Sequence, residues 1–132
     1  MGEPSGVGPE IFCHLWNNRE AFNLPPLFYV GSKESLRTYC PGINIEIIRS
    51  PCDVKNTSDG TLPVYDIEMP EKVVPGLLNR ANGRAVITSI DIAVSFALKG
   101  QVSAVVTSPI HKAALYDIGF SLPGHTAYLA QL

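Results

Sequence analysis

Three short segments carry residue types that can do chemistry. The first is Gly2-Glu3-Pro4-Ser5-Gly6-Val7-Gly8-Pro9-Glu10. Its glycines let a backbone turn tightly and approach a ligand closely. The helix predicted after it would offer free N–H groups, which favour an anion. It has neither the GxGxxG spacing nor the lysine of a Walker A loop, so by itself it reads equally well as a structural turn. The second segment is Thr107-Ser108-Pro109-Ile110-His111-Lys112. Lys112 could hold a phosphate or carboxylate, or assist proton transfer if its pKa is lowered. The plainer reading has Ser108 capping a helix and Lys112 in solvent. The third segment is Pro123-Gly124-His125-Thr126. Here Gly124 turns the chain, and His125 and Thr126 present an imidazole and a hydroxyl at the start of a helix, which suits a phosphate or a hydroxy acid. The plainer reading has Thr126 as no more than an N-cap.

Other candidates read as structural. His14 lies within the first predicted helix, with no second ligand one turn on. Asp66 and Glu68 read as a solvated strand face. Cys13, Cys40 and Cys52 are odd in number and form no CxxC pair, which argues against a disulfide framework or a cysteine zinc site. A reducing, cytoplasmic location is the default expectation. No nucleophile–base set, HExxH or nucleophile elbow is present.

The elements that must position these segments follow from pattern. Pro9 to about Asn17 predicts a short helix, with Pro9 tolerated in its first turn. Leu27 to Val30 is an apolar run halted by Gly31 and predicts a buried strand. Ser32 then caps a helix running to about Cys40. Ile43 to Ile48 predicts a second strand. Residues 50–61 read as a loop. Leu62 to Ile67 predicts a strand, placed at an edge because of Pro63. Residues 68–82 look irregular. Gly83 to Lys99 is the clearest helix, with Val86, Ile87, Ile90, Ala93, Val94, Ala97 and Leu98 near helical spacing and Gly100 as its stop. Val102 to Thr107 predicts a strand, His111 to about Asp117 a helix, and a last helix begins after Thr126. Alternation of this kind predicts an α/β layered fold with a mainly parallel sheet. Such sheets place ligands at the carboxyl ends of strands, where Thr107-Ser108-Pro109 would sit.

The chain has 132 residues, enough for one ordinary domain. Hydrophobic residues make up 45% and charged residues 17%, a globular composition. The net charge of −2 gives no electrostatic reason to expect nucleic acid or an anionic membrane as partner. No apolar run approaches the roughly 20 residues of a membrane helix, and no signal-peptide pattern follows Met1. A glycine loop needs something upstream to position it, most naturally a strand, and here only Met1 precedes it. The final helix has no room to finish. Both ends are therefore expected to be incomplete.

Taken in order and with their spacing, GEPSGVGPE, TSPIHK and PGHT, with Asn82-Gly83-Arg84-Ala85 opening the long helix, resemble the 4-hydroxythreonine-4-phosphate dehydrogenase family from Gly2 to Leu132. The resemblance implies a three-layer α/β/α fold like that of isocitrate and isopropylmalate dehydrogenases. It has two domains with a cleft between them, and residues 1–132 form the N-terminal α/β domain. It implies a cytoplasmic homodimer and a small phosphorylated hydroxy amino acid as substrate. The implied reaction is NAD-dependent oxidation of 4-phosphooxy-L-threonine to a 3-keto acid, which loses carbon dioxide to give 3-amino-2-oxopropyl phosphate in vitamin B6 (pyridoxal phosphate) synthesis. A divalent metal (zinc, magnesium or cobalt) is implied too. His125 and Thr126 match the family's substrate-binding His-Thr pair. Lys112 is a weak catalytic candidate, and Ser108 stands where the family usually has glycine. Ala127 stands where an acidic residue is usual. The family's three metal-binding histidines come later in its chain. His14, His111 and His125 match none of them, so these 132 residues alone are expected to be inactive. The alternatives are a related dehydrogenase of cis-dihydrodiol dicarboxylates or other phosphorylated acids, or a non-catalytic anion-binding module.

Overall fold

The structure, a computed structural model, describes residues 1–122 and 124–132. Helix α1 (Val7–Asn17) is followed by strand β1 (Tyr29–Gly31), helix α2 (Lys33–Tyr39), strand β2 (Ile45–Ile47), a 3₁₀ turn over Pro51–Asn56 and strand β3 (Leu62–Asp66). A second 3₁₀ turn (Arg80–Asn82) leads into the long helix α3 (Gly83–Leu98), then short helices α4 (Lys112–Tyr116) and α5 (His125–Leu129). The strands form one parallel sheet in the order β1-β3-β2.

Side chains alternate across a strand, and the sheet uses both faces. Tyr29, Leu62 and Val64 point to one side and pack with Cys13 of α1 and Leu36 of α2. Val30 points to the other, against Ala85 of α3, with Phe28, Tyr65, Ile92 and Ala93 around it. The result is three layers, with α1 and α2 below the sheet and α3 above, as expected of an α/β/α fold. Ser32 caps α2 as its type predicts, accepting a hydrogen bond from Ser35 N at 3.2 Å.

Three expectations need correction. First, β3 is the central strand, although Pro63 pointed to an edge. On the β2 side the ladder uses Leu62 N and Val64 O, which pair with Asn44 O at 2.8 Å and Ile48 N at 2.9 Å. Pro63 therefore faces the β1 side, where the register places Phe28, one residue before β1 begins. The missing N–H falls where there is no partner to lose.

Second, residues 102–107 form no strand. Extended backbone needs a neighbour for its N–H and C=O groups. Beside β1, the Met1 amine donates to Val30 O at 2.8 Å, and Glu3 N donates to Pro109 O at 2.8 Å. Those contacts reach residue 109 and leave 102–106 without a ladder, with Val106 94% exposed.

Third, the 50–61 loop contains a turn with its own cap. Ser50 Oγ accepts from Cys52 N, and the Asp53 carboxylate accepts from Ser50 N at 2.9 Å. This is the reciprocal capping arrangement of a helix start.

A buried side chain ties the irregular stretch to the start of α3. Asn82 is 1% exposed, and its amide pairs with both backbone groups of Glu71. Oδ1 accepts from Glu71 N at 3.0 Å, and Nδ2 donates to Glu71 O at 3.1 Å.

Candidate substrate-binding site

The glycine-rich segment folds into a tight loop that leads into α1. Gly6 N donates to Glu3 O at 3.1 Å, and Ser5 N donates to the Glu3 carboxylate at 3.1 Å. Ser35 Oγ of α2 donates to Pro4 O at 3.1 Å, tying the loop to the layer beneath the sheet. Gly6 is the N-cap of α1 and has no side chain to satisfy the first-turn N–H groups.

This loop lies directly on the second motif. A Cβ at Gly8 would stand 2.9 Å from the Ser108 Cβ, and one at Gly2 would collide with the Pro109 carbonyl. Glycine is required here for close approach, as its type suggested. Ser108 packs against Gly8 and caps nothing. The cap of α4 is His111, whose Nδ1 accepts from Ala114 N at 3.4 Å. α4 thus begins at Lys112, one residue later than predicted.

The second motif in turn meets the third. Gly124 adopts φ +155, a conformation that side chains disfavour. A Cβ there would stand 3.5 Å from Lys112 Cε and 3.9 Å from Nζ. The exposed Lys112 side chain therefore ends beside the His-Thr segment. α5 starts at His125 with Gly124 as its N-cap, so Thr126 is in the first turn and is not the cap. Its side chain is exposed. Tyr128, one turn on, donates to the Asp91 carboxylate of α3 and packs its ring edge-on against Phe120. These contacts hold α5 against the body of the domain.

His125 Nε2 is buried and, among the described residues, has no hydrogen-bond partner. Burial pushes the imidazole below its ordinary pKa, and the nearby Met1 amine pushes the same way. That amine is itself pushed down to about 5 by burial. The lowered pKa favours the neutral imidazole at neutral pH, with one buried ring nitrogen left unpaired among the described residues.

The other sequence candidates lie elsewhere. His14 is exposed on α1, where its ring sits against Phe22. Glu68 is exposed as predicted, but Asp66 is not a solvated strand residue. It ends β3 half-buried, accepting from Lys33 N at 2.9 Å and Lys33 Nζ at 2.6 Å. Nothing in the sequence marks this pair, since it depends on β1 and β3 lying side by side. A cleft of about 610 Å³ opens beside it at the carboxyl ends of β1 and β3. Its lining mixes Lys33 and Lys72 with Glu34, Asp66, Glu68 and Glu71, and includes no residue of the three motifs. Asp66 and Lys33 already neutralise one another there, so the motif cluster is the better candidate. Among the described residues no three His, Cys, Asp or Glu side chains gather in a way that could hold a metal ion. The residues present therefore do not fit a metal centre, and no chemical step is assigned to one.

A parallel α/β domain with three motifs converging on a neutral histidine defines a class: a layered domain with a candidate anion or hydroxy-acid site. Comparison with known proteins gives the family. Residues 23–132 match the family described as "Pyridoxal phosphate biosynthetic protein PdxA". The chain belongs to that family. It is 36% identical over 130 residues to the 4-hydroxythreonine-4-phosphate dehydrogenase of Zymomonas mobilis, covering 98% of this chain and 38% of that protein. It is 38% identical over 137 residues to the enzyme of the same name from Methylorubrum extorquens, covering 100% and 39%. Among solved structures, a 4-hydroxythreonine-4-phosphate dehydrogenase from Burkholderia phymatum superposes with a TM-score of 0.88 at 26% identity, covering 99% of this chain and 41% of that one. The Klebsiella pneumoniae enzyme gives 0.82 at 31% identity, covering 99% and 43%. The chain thus spans about two fifths of the length of the relatives it matches.

Proposed function

We propose that residues 1–132 are the N-terminal α/β domain of a two-domain, NAD- and divalent-metal-dependent dehydrogenase acting on 4-phosphooxy-L-threonine. The 3-hydroxyl is oxidised, and the 3-keto acid loses carbon dioxide to give 3-amino-2-oxopropyl phosphate on the route to pyridoxal phosphate. The oxidation passes a hydride to NAD and a proton to a base. When bound, NAD would supply the hydride acceptor; among the described residues no side-chain group fits a metal ion, so no step is assigned to the cation. In this reading the whole enzyme is a cytoplasmic homodimer. Among the described residues no helix is long and apolar enough to cross a membrane.

The observation that carries the proposal is the meeting of three motifs separated in sequence: Gly8 on Ser108, Lys112 against Gly124, and His125 with an Nε2 unpartnered among the described residues. In this reading His125 and Thr126 bind the substrate's polar groups. The neutral imidazole pairs with a hydroxyl or carboxylate without paying the desolvation cost of a buried cation. Lys112 contributes positive charge for the phosphate or carboxylate. These residues bind and orient, and the chain alone is expected to hold the substrate without turning it over.

The test is a titration of the isotopically labelled chain with 4-phosphooxy-L-threonine, followed by NMR. The His125 ring and the Thr126 amide should shift together. If they stay still and a cis-dihydrodiol dicarboxylate moves them, the substrate class is wrong. A parallel assay follows NADH formation with NAD and a divalent cation, using the Zymomonas mobilis relative as positive control. Turnover by the 132-residue chain itself would show that its metal and NAD groups have been misjudged.

A further inference from the structure

Away from the motif cluster, two of the three cysteines meet in the seam between α1 and α2. Cys13 is 5% exposed on the inner face of α1. Its Sγ donates to Leu36 O at 3.9 Å. The same carbonyl accepts the amide of Cys40 at 2.8 Å, so both cysteines converge on one atom at the end of α2. From the other side, Asn17, one turn after Cys13, donates its Nδ2 to Cys40 Sγ at 3.7 Å. Cys40 is half-buried and directly precedes the exposed Pro41-Gly42 turn, where nothing crowds the backbone. Cys52, by contrast, is exposed on the Pro51–Asn56 turn. All three are free thiols in this structure.

We propose that Cys13 and Cys40 form a thiol–disulfide pair that closes under peroxide and bolts α1 to the end of α2. The half-buried Cys40 is the accessible partner. Its thiolate attacks the peroxide O–O bond, giving a sulfenic acid and releasing one water once the leaving hydroxide is protonated. The Cys13 sulfur then attacks the Cys40 sulfur, the S–O bond breaks, and the Cys13 proton leaves with the hydroxyl as a second water. The sum is two thiols and hydrogen peroxide going to a disulfide and two waters. Burial, with Cys40 as the next contributor, pushes the Cys13 thiol up to about 12. This fits Cys13 as the partner that reacts second and Cys40 as the one oxidised first.

The bond would act on the motif cluster through α1. That helix leaves the glycine loop, whose Gly8 rests on Ser108, while α2 holds the loop's Pro4 through Ser35. Joining the two helices fixes the loop from both sides. Nothing in this inference depends on the identity of the substrate.

The experiment uses the purified 132-residue chain carrying Cys52→Ser, reduced and then treated with a modest excess of hydrogen peroxide. The expected product is a monomer lighter by two hydrogens, with a cross-linked proteolytic fragment joining Cys13 and Cys40. Closing a loop of this length should raise the Tm by about 10 °C, an effect reversed by dithiothreitol. With Cys40→Ser added, both the mass loss and the Tm gain should disappear. Cys13→Ala gives the converse check, leaving Cys40 to over-oxidise. Sulfinic acid on Cys40 with Cys13 still free in the Cys52→Ser chain would overturn the proposal. So would disulfides only between chains, or an internal disulfide with unchanged Tm.

Discussion

Gly8→Ala sets two well-understood effects against each other. Gly8 lies in the first turn of α1. Judged by helix propensity alone, alanine there should stabilise the chain by up to about 1 kcal/mol. The structure predicts the opposite sign, because the added methyl would stand 2.9 Å from the Ser108 Cβ and 3.4 Å from its Oγ. A Cβ cannot swing aside as the end of a long side chain can, so the backbone of one motif must move. Overpacking of this kind costs about 1–3 kcal/mol, and the propensity gain is reduced near a helix end. The net expectation is a loss of about 1–2 kcal/mol, which lowers the Tm by roughly 3–10 °C for a domain of this size. Thermal unfolding followed by circular dichroism measures it. Gly42→Ala is the control, since nothing lies within 4 Å of its added methyl. Ser108→Gly should relieve the clash, so the double variant should recover most of the loss. The double-mutant cycle should then show a coupling of about 1–2 kcal/mol. If Gly8→Ala stabilises the chain, or if the two substitutions simply add, the glycine loop does not rest on the second motif as described.

Three further outcomes follow from the same geometry. Asn82→Ala removes two hydrogen bonds from a buried amide and should cost about 1–3 kcal/mol in urea unfolding; an unchanged midpoint would mean that the 68–82 stretch is held by other contacts. The His125 imidazole and the Met1 amine both have pKa values depressed by burial. The unfolded chain therefore binds more protons. Their contribution is complete above pH 8 and is lost on acidification, the amine's from pH 8 towards about 5 and the imidazole's below 6.5. Unfolding curves across that range should show the decline, with a shallower slope below pH 6.5 in His125→Gln. In a full-length enzyme carrying this domain, His125→Ala should raise KM and lower kcat, and Lys112→Ala should weaken binding; kinetics unchanged from the parent would remove each residue from the site.

Where a structural feature is decided within one turn or one strand, the sequence was a sufficient guide. Ser32 caps α2 because a hydroxyl at that position reaches the amide three residues on, whatever lies around it. The α3 periodicity likewise placed Val86 and Ile90 inside, and both are buried, whereas Leu98 at the end of the same pattern is 72% exposed. The Ser50–Asp53 cap was also local and could have been read from its Ser-x-x-acid spacing. Asp66 was beyond reach, because its partner Lys33 is 33 positions away and meets it only through the parallel pairing of β1 and β3.

The two strand misjudgements share a cause that patterning cannot express. Pro63 and the Val102–Thr107 run were both judged by residue type, but a strand is a relation between neighbours. Pro63 is tolerated in a central strand because its missing donor faces Phe28, outside the ladder. Val105 and Val106 have strong β propensity, but among the described residues no backbone group pairs with theirs. The same reasoning applies to the site. His125 and Thr126 could be singled out by type and by family resemblance, but neither indicates which groups surround them. That the Lys112 side chain ends against Gly124, and that the glycine loop presses on Ser108, are facts of packing between segments more than ten residues apart or at opposite ends of the chain. The resemblance identified the motifs, and the fold shows that they lie in contact.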